Sequence, residues 1–191
     1  MSANGDAYGL FWNSQNGDRT YDADSFEKWL SQFFTTGIFK GDFEVTPYQN
    51  LTVSVAGGYV NINGKIRLFD NETRITLDAA SAVSPRIDTI VLERDNDSRA
   101  ITLKKVTGTP SANPSAVSPV RTTSIHQLVL AEIYVAVGAS VITANYITDK
   151  RDDANLCGSI TNTLNNFLYG TEELTAGTSE LATGTFYFQY D

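Results

Sequence analysis

Acidic side chains are the most numerous candidates for chemistry in this chain, and one run is dense enough to bind a cation. The run Asp149-Lys150-Arg151-Asp152-Asp153 carries three carboxylates, and Ca²⁺ prefers oxygen ligands of that kind. Lys150 and Arg151 stand among these acids, however, and would pair with them more simply. We therefore predict a self-neutralised surface there, with no metal and no cofactor.

Pairs of carboxylates could instead act as the acid and the base or nucleophile of a glycoside hydrolase. Glu93 with Glu132, or Asp88 with Asp78, are examples of such pairs. A chain with 22 acidic residues offers many pairs, and sequence spacing selects none of them. The acids therefore give no catalytic prediction.

The single histidine and the single cysteine give no nucleophilic site either. Ser124 lies close to His126 in sequence, but a triad needs a nucleophile, a base and an orienting acid that converge in space. Cys157 has no Lys, Arg or His within a few residues on its C-terminal side to stabilise a thiolate. A lone cysteine also excludes an intrachain disulfide and a cysteine-cluster metal site. We expect a protein that is not an enzyme.

Composition indicates a folded chain with little affinity for nucleic acid. Of the 191 residues, 41% are apolar and 19% are charged, and the chain has nine Tyr and ten Phe. The net charge is −8 and the fourteen basic residues are scattered, whereas nucleic-acid binding needs clustered Lys and Arg. Residues 1–12 lack a secretory pattern, and no segment has the length of a membrane span. We expect synthesis in a cytoplasm.

A helix is predicted near the start of the chain. Asp22 or Asp24 can cap a helix that begins near Ser25, and Gly37 would end it after about three turns. Five apolar residues recur along it at helical spacing: Phe26, Trp29, Leu30, Phe33 and Phe34. So short a helix is marginal alone in water, so this stripe must pack against the chain's own sheet or against symmetry mates.

The pattern changes to the two-residue period of strands from about residue 43. Apolar residues alternate with polar ones over 51–55, and 87–94 and 99–106 flank the polar turn 95–98 as an antiparallel hairpin. Residues 128–137 are almost continuously apolar, which is typical of a central strand. The predicted fold is mainly β, with an N-terminal α-helix followed by an antiparallel β-sandwich.

Asn63-Gly64 resembles a two-residue hairpin turn, but side-chain alternation argues against it. Such a loop would pair Ile62 with Lys65 and Val60 with Arg67, mixing apolar and charged side chains on one face. An odd-length loop or a bulge would instead bring four aliphatic residues together: Val60, Ile62, Ile66 and Leu68. We therefore predict a bulged or odd-length hairpin.

The last part of the chain is predicted to be a short extension of helix and strand. Ile160, Leu164, Phe167 and Leu168 have helical spacing, whereas 185–190 are strongly β-prone and should pair in a sheet or with another chain. The predicted organisation is an arm and assembly helix at 1–40, a sandwich at 41–156 and an extension at 157–191.

The order of short motifs along nearly the whole chain resembles a family of phage proteins. The family comprises small structural proteins from the tail tips and baseplates of long-tailed, siphovirus-type phages or prophages of Gram-positive bacteria. The motifs that carry the resemblance are residues 8–21, 24–26, 33–39, 58–64, 77–80, 86–91, 105–110, 147–151, 156–158 and 184–188.

The resemblance implies a helix followed by a sandwich similar to the shoulder domain of phage receptor-binding proteins. It also implies a homotrimer formed through the N-terminal helical part, other tail proteins as partners, a place in the virion and a contribution to host adsorption. A carbohydrate-binding module is the alternative, because exposed Tyr48, Tyr59 or Tyr134 could stack on sugar rings of the host cell wall.

Overall fold

The chain is mainly β-structure, as predicted, with antiparallel sheets. The computed structural model describes Asn16, residues 23–161, and the backbone of residues 167–170 and 186–189. Strand accounts for 41% of it and helix for 8%. The elements, in chain order, are α1 (Ala23–Leu30), β1 (Gly37–Ile38), β2 (Val45–Pro47), β3 (Thr52–Val55), β4 (Gly58–Ile62), β5 (Lys65–Phe69), β6 (Thr73–Thr76), β7 (Arg86–Asp95), β8 (Ala100–Val106), β9 (Ile125–Val135), a 3₁₀ turn (Ala144–Tyr146), β10 (Ile147–Asp149), β11 (Phe167–Gly170) and β12 (Phe186–Gln189).

The described strands form three antiparallel sheets and one parallel pair. The strand orders are β10-β9-β7-β8, β1-β4-β5 and β2-β3-β6, and β11 pairs with β12 in parallel. The predicted hairpin is confirmed, since Asp95 pairs with Ala100 and Thr89 with Val106. The predicted central strand is confirmed as well, because β9 lies between β10 and β7.

One buried apolar cluster connects the three antiparallel sheets. Its members include Ile62 of β4, Val53 of β3, Leu92 of β7 and Leu128 of β9, and none of these is more than 1% exposed. Period-two alternation places the inner residues of each strand in this cluster. Burial of aliphatic side chains from all three sheets therefore holds them together.

A buried ion pair lies at the start of β7. The Arg86 Nε donates to Asp88 Oδ1 at 2.9 Å, and both side chains are almost completely buried. The Arg86 guanidinium also donates to the backbone oxygens of Asp78 at 2.6 Å and Ala79 at 2.8 Å. The Gly108 N–H donates to Asp88 Oδ1 at 2.9 Å. The pair therefore ties the segments on both sides of the β7–β8 hairpin to the sheet.

Helix α1 is shorter than predicted. It ends at Leu30 rather than at Gly37, and Asp24 lies in its first turn rather than at a cap position. The other predicted cap, Asp22, lies outside the described residues. The Ser31 hydroxyl donates to the Lys28 oxygen at 2.8 Å, which satisfies a terminal carbonyl and competes with continued helix. Gly37 belongs to β1, where an added Cβ would lie 2.5 Å from the Gly158 oxygen. Its role is close backbone approach, not helix termination.

The predicted bulged or odd-length hairpin at Asn63-Gly64 is wrong. Ile62 pairs directly with Lys65 and Val60 with Arg67, so the loop holds two residues. Asn63 and Gly64 have φ of 53° and 84°, the left-handed backbone that this two-residue turn requires. The turn chemistry therefore outweighs the clustering of aliphatic side chains, and Ile66 and Leu68 of β5 face away from the core.

The predicted C-terminal helix is also wrong where the structure describes it. Phe167 and Leu168 belong to strand β11, and the Ile160 N–H donates to the Ile38 oxygen at 2.8 Å in an extended segment beside β1. Leu164 lies outside the described residues. The predicted strand at the end of the chain is confirmed over Phe186–Gln189, which pairs with β11.

Candidate assembly surface

Helix α1 is fixed to the β-structure by its polar side. Glu27 Oε2 lies 2.5 Å from the Lys65 Nζ on β5, and Glu27 Oε1 lies 3.7 Å from Arg94 Nη1 on β7. The helix backbone also rests on the β4–β5 turn, because a Cβ on Gly64 would lie 2.4 Å from the Glu27 oxygen. Charge pairing and close backbone contact therefore hold this helix in place.

The aromatic residues predicted to line the helix do not share one buried face. Phe26, Trp29 and Phe34 are between 40% and 42% exposed, whereas Leu30 and Phe33 are half-buried. Phe33 lies in the turn after the helix and Phe34 follows that turn, and the Phe33 ring packs edge-on against Trp29 with centroids 4.9 Å apart. Packing against the chain's own sheet therefore covers this aromatic surface only in part.

An open groove of about 1050 Å³ lies between α1 and the start of β5. Phe26 and Leu30 line it from the helix and Ile66 from the strand, with Asn96 and Arg99 from the β7–β8 turn. The groove makes the helix surface continuous with one face of the β1-β4-β5 sheet.

That face of the sheet carries four exposed apolar side chains. Leu68 lies opposite Tyr59 across the strands, Ile66 is next in line on β5, and Phe39 packs edge-on against Tyr59 at 5.9 Å. Each is between 41% and 54% exposed. Sequence reasoning missed Phe39 and assigned Ile66 and Leu68 to the core. The Asn-Gly turn was the signal that could have placed them outside, because it fixes the register.

The three tyrosines predicted to contact saccharide are exposed but lie on different sheets. Tyr48 follows β2, Tyr59 is on β4 and Tyr134 is on β9. The Arg74 guanidinium covers one face of Tyr48 at 3.9 Å, and Tyr134 packs against Tyr146 at 5.7 Å. In the described part of the chain, the three tyrosine rings therefore do not form a shared stacking platform.

The carboxylates proposed for a hydrolase pair are each bound to a neighbouring cation. Lys104 and Gln127 donate to Glu93, and the Lys150 Nζ lies 3.2 Å from Glu132. Asp88 is paired with Arg86, as described above. Each of these carboxylates is therefore engaged by a cation of the same chain.

Asp78 has a cationic partner too. Hydrogen bonds from Lys105 at 2.6 Å and Thr107 at 2.7 Å hold the pKa of Asp78 below its usual value.

Within the acidic run at 149–153, Asp149 is neutralised by Arg151 as predicted. Arg151 Nη2 donates to Asp149 Oδ2 at 2.6 Å, and this bonding lowers the pKa of Asp149. Lys150 reaches Glu132 instead of its neighbours. Among the residues that the structure describes, no group of three His, Cys, Asp or Glu side chains could hold a metal ion.

His126 is partly buried and Cys157 is buried, and burial shifts the pKa of each side chain. Partial burial lowers the pKa of His126, with further lowering by Arg121 and Arg94 nearby. Burial raises the pKa of the Cys157 thiol to about 12, so the thiol is protonated at neutral pH.

Across 23–161 and the two C-terminal strands, no helix has the length and apolar character that crossing a membrane requires.

Comparison with known proteins does not assign the chain to a family. No protein-family model matches the chain, and comparisons with curated proteins and with solved structures give no match. The functional inference therefore depends on the sequence and on the geometry described above.

Proposed function

We propose that this chain is a noncatalytic structural component of a phage tail tip or baseplate that assembles as a homotrimer. It would be synthesised in the cytoplasm of the bacterial host, join other tail proteins in the virion and contribute to host adsorption. The observation that carries the proposal is the aromatic surface at α1, where Phe26, Trp29 and Phe34 stay at least 40% exposed. Exposed aromatic clusters are characteristic of protein interfaces.

In this proposal the three antiparallel sheets form a sandwich similar to the shoulder domain of phage receptor-binding proteins. Residues 1–40 are the arm and assembly helix, 41–156 the sandwich, and 157–191 an extension packed on the sandwich or on a neighbouring subunit. The common core supports one folded unit for the sheets. The bond from the Ile160 N–H to the Ile38 oxygen supports docking of the extension beside β1.

The paired carboxylates and the protonated thiol support a structural rather than a chemical role. Acids such as Glu93 and Asp78 bind cations of the same chain. A protein that transmits load in a virion needs a fixed core, and the buried Arg86–Asp88 pair fastens two loops to it.

Multi-angle light scattering on the native chain and on Trp29→Ala and Phe33→Ala variants tests the assembly role. We expect a native mass near three times the 20.9 kDa chain and a lower mass for the variants. Val83→Ala, at a side chain that is 85% exposed, is the matched control and should keep the native mass. A monomer unaffected by the variants would refute the assembly role.

Antibody labelling of virions in the electron microscope tests the proposed location at the tail tip. Label absent from the tail tip would refute that location.

A carbohydrate-binding module is the second candidate, favoured by the exposure of Tyr48, Tyr59 and Tyr134. Tyr59 is the best placed, because its ring stands beside exposed Phe39. Binding to a glycan array or to host cell walls, lost in Tyr59→Ala, would support this function. Loss of tail assembly on deletion of the gene would support the structural function instead.

A further inference from the structure

Strand β5 directs its charged side chains toward the interior and its aliphatic side chains toward solvent, the reverse of an ordinary surface strand. Lys65, Arg67 and Phe69 share the face directed toward the interior: Lys65 reaches Glu27, Arg67 donates to the Ile101 oxygen, and Phe69 packs on the core. Alternation then places Ile66 and Leu68 on the outer face. Surface strands usually expose the charged residues and bury the aliphatic ones, so this outer face has the composition of an interface.

The outer face has enough apolar area to matter. The sheet patch is defined here as Phe39, Tyr59, Ile66 and Leu68, which are 41–54% exposed. Together these side chains expose roughly 400 Å², taking about 200 Å² as the full area of a large apolar side chain. A patch of this size is comparable to the largest one on a typical monomer, and such a patch is often functional.

We propose that the sheet patch is an interface with a second copy of this chain. Two molecules of net charge −8 repel each other, so copies can meet closely only where the surface carries little charge. The four patch side chains carry no charge themselves, and cations such as Lys65, Arg67 and Arg99 lie beside Ile66. In a cyclic trimer each contact joins two different surfaces, so the patch of one copy would meet another surface of the neighbouring copy.

The area needed for a stable contact links the patch to the helix. A stable interface buries about 800 Å² on each partner, roughly twice what the patch supplies. Ile66 also lines the groove with Phe26 and Leu30, so the patch adjoins α1 across a groove whose lining includes charged side chains such as Lys65 and Arg99. The inference therefore rests on the self-association in the proposed function, and it adds a sheet face to the helix surface proposed there.

Sedimentation velocity over a range of concentrations tests the patch in the full-length chain. Ile66→Thr and Leu68→Thr place a β-branched strand former at exposed positions, so the fold should survive. We expect each variant to need at least tenfold higher concentration than the native chain to associate. Val83→Thr is the matched control and should associate as the native chain does.

Each result separates this inference from the proposed function. Unchanged association of the two patch variants, with dissociation of Trp29→Ala, would overturn the patch interface and leave the helix interface standing. A native chain that is monomeric at every concentration would overturn both.

Hydroxyl-radical labelling of Tyr59 and Phe39 in the native chain gives a readout that needs no variant. We expect labelling to fall as concentration rises, because a second copy covers the rings. Labelling that is independent of concentration would overturn the inference.

Discussion

Replacing Asp88 with alanine removes the counter-charge of a guanidinium that has almost no contact with water. Arg86 would keep its bonds to the Asp78 and Ala79 oxygens but lose its anionic partner, and the Gly108 N–H would lose its acceptor. Breaking a buried ion pair from one side costs about 3–5 kcal/mol, and an unsatisfied buried N–H costs about 1–3 kcal/mol. Because the two losses share one carboxylate they overlap, and we expect a decrease of about 4 kcal/mol in the free energy of unfolding.

Urea and thermal unfolding followed by circular dichroism measure this loss. A decrease of about 4 kcal/mol corresponds to a fall in Tm of roughly 8–16 °C for a chain of this size. Glu72→Ala is the matched control, since it also removes an acid paired with an arginine, but at an exposed site. The control should keep the native Tm. A fall in Tm for Asp88→Ala no larger than that of the control would show that the buried pair does not hold the loops.

Three further perturbations test other parts of the structure. Gly64→Ala should lower stability by about 1–3 kcal/mol in urea unfolding, because φ is +84° and the new Cβ meets the helix backbone; Gly41→Ala, at φ +96° with no atom within 4 Å, should cost less, and equal losses would contradict the helix contact. Cys157, with a pKa of about 12, should resist alkylation at pH 8 until the chain is unfolded, and fast labelling of the native chain would contradict its burial. The pKa of Asp149, lowered by Arg151, should rise toward its usual value in Arg151→Gln when followed by carbon NMR of the carboxyl group. Because that pKa is lowered on folding, the associated stability is present above the usual Asp pKa and is lost as the pH falls through the lowered value. An unchanged pKa in Arg151→Gln would contradict the bonding described.

Local signals in the sequence predict the parts of the fold that local chemistry controls. The β7–β8 hairpin follows from two alternating segments and a polar turn, in which Asp95 Oδ1 accepts the Asp97 N–H at 2.9 Å. The central position of strand β9 could be predicted from its long, almost continuously apolar sequence. The pairing of Asp149 with Arg151 follows from their spacing, since the two residues are two positions apart in the chain.

The parts that sequence reasoning placed wrongly depend on contacts distant in the chain. The prediction for Asn63-Gly64 assumed that Ile66 and Leu68 must face the core, although the turn fixes the register regardless of where the aliphatic side chains go. Ile160 has helical spacing with later residues, but its N–H bonds to β1, more than a hundred positions earlier. No local pattern contains that contact.

The candidate surface also has one part that local sequence predicts and one part that depends on distant contacts. The aromatic residues at α1 could be identified from their spacing, but their exposure depends on how Glu27 fixes the helix to Lys65 and Arg94. The sheet patch could not be found without the register of β4 and β5.

The mass of the native chain in solution tests the central claim most directly. Native mass spectrometry at micromolar concentration should give a principal species of three chains, each of 20.9 kDa. A spectrum containing only the single chain, unchanged at tenfold higher concentration, would contradict the account of this protein as an assembling structural component.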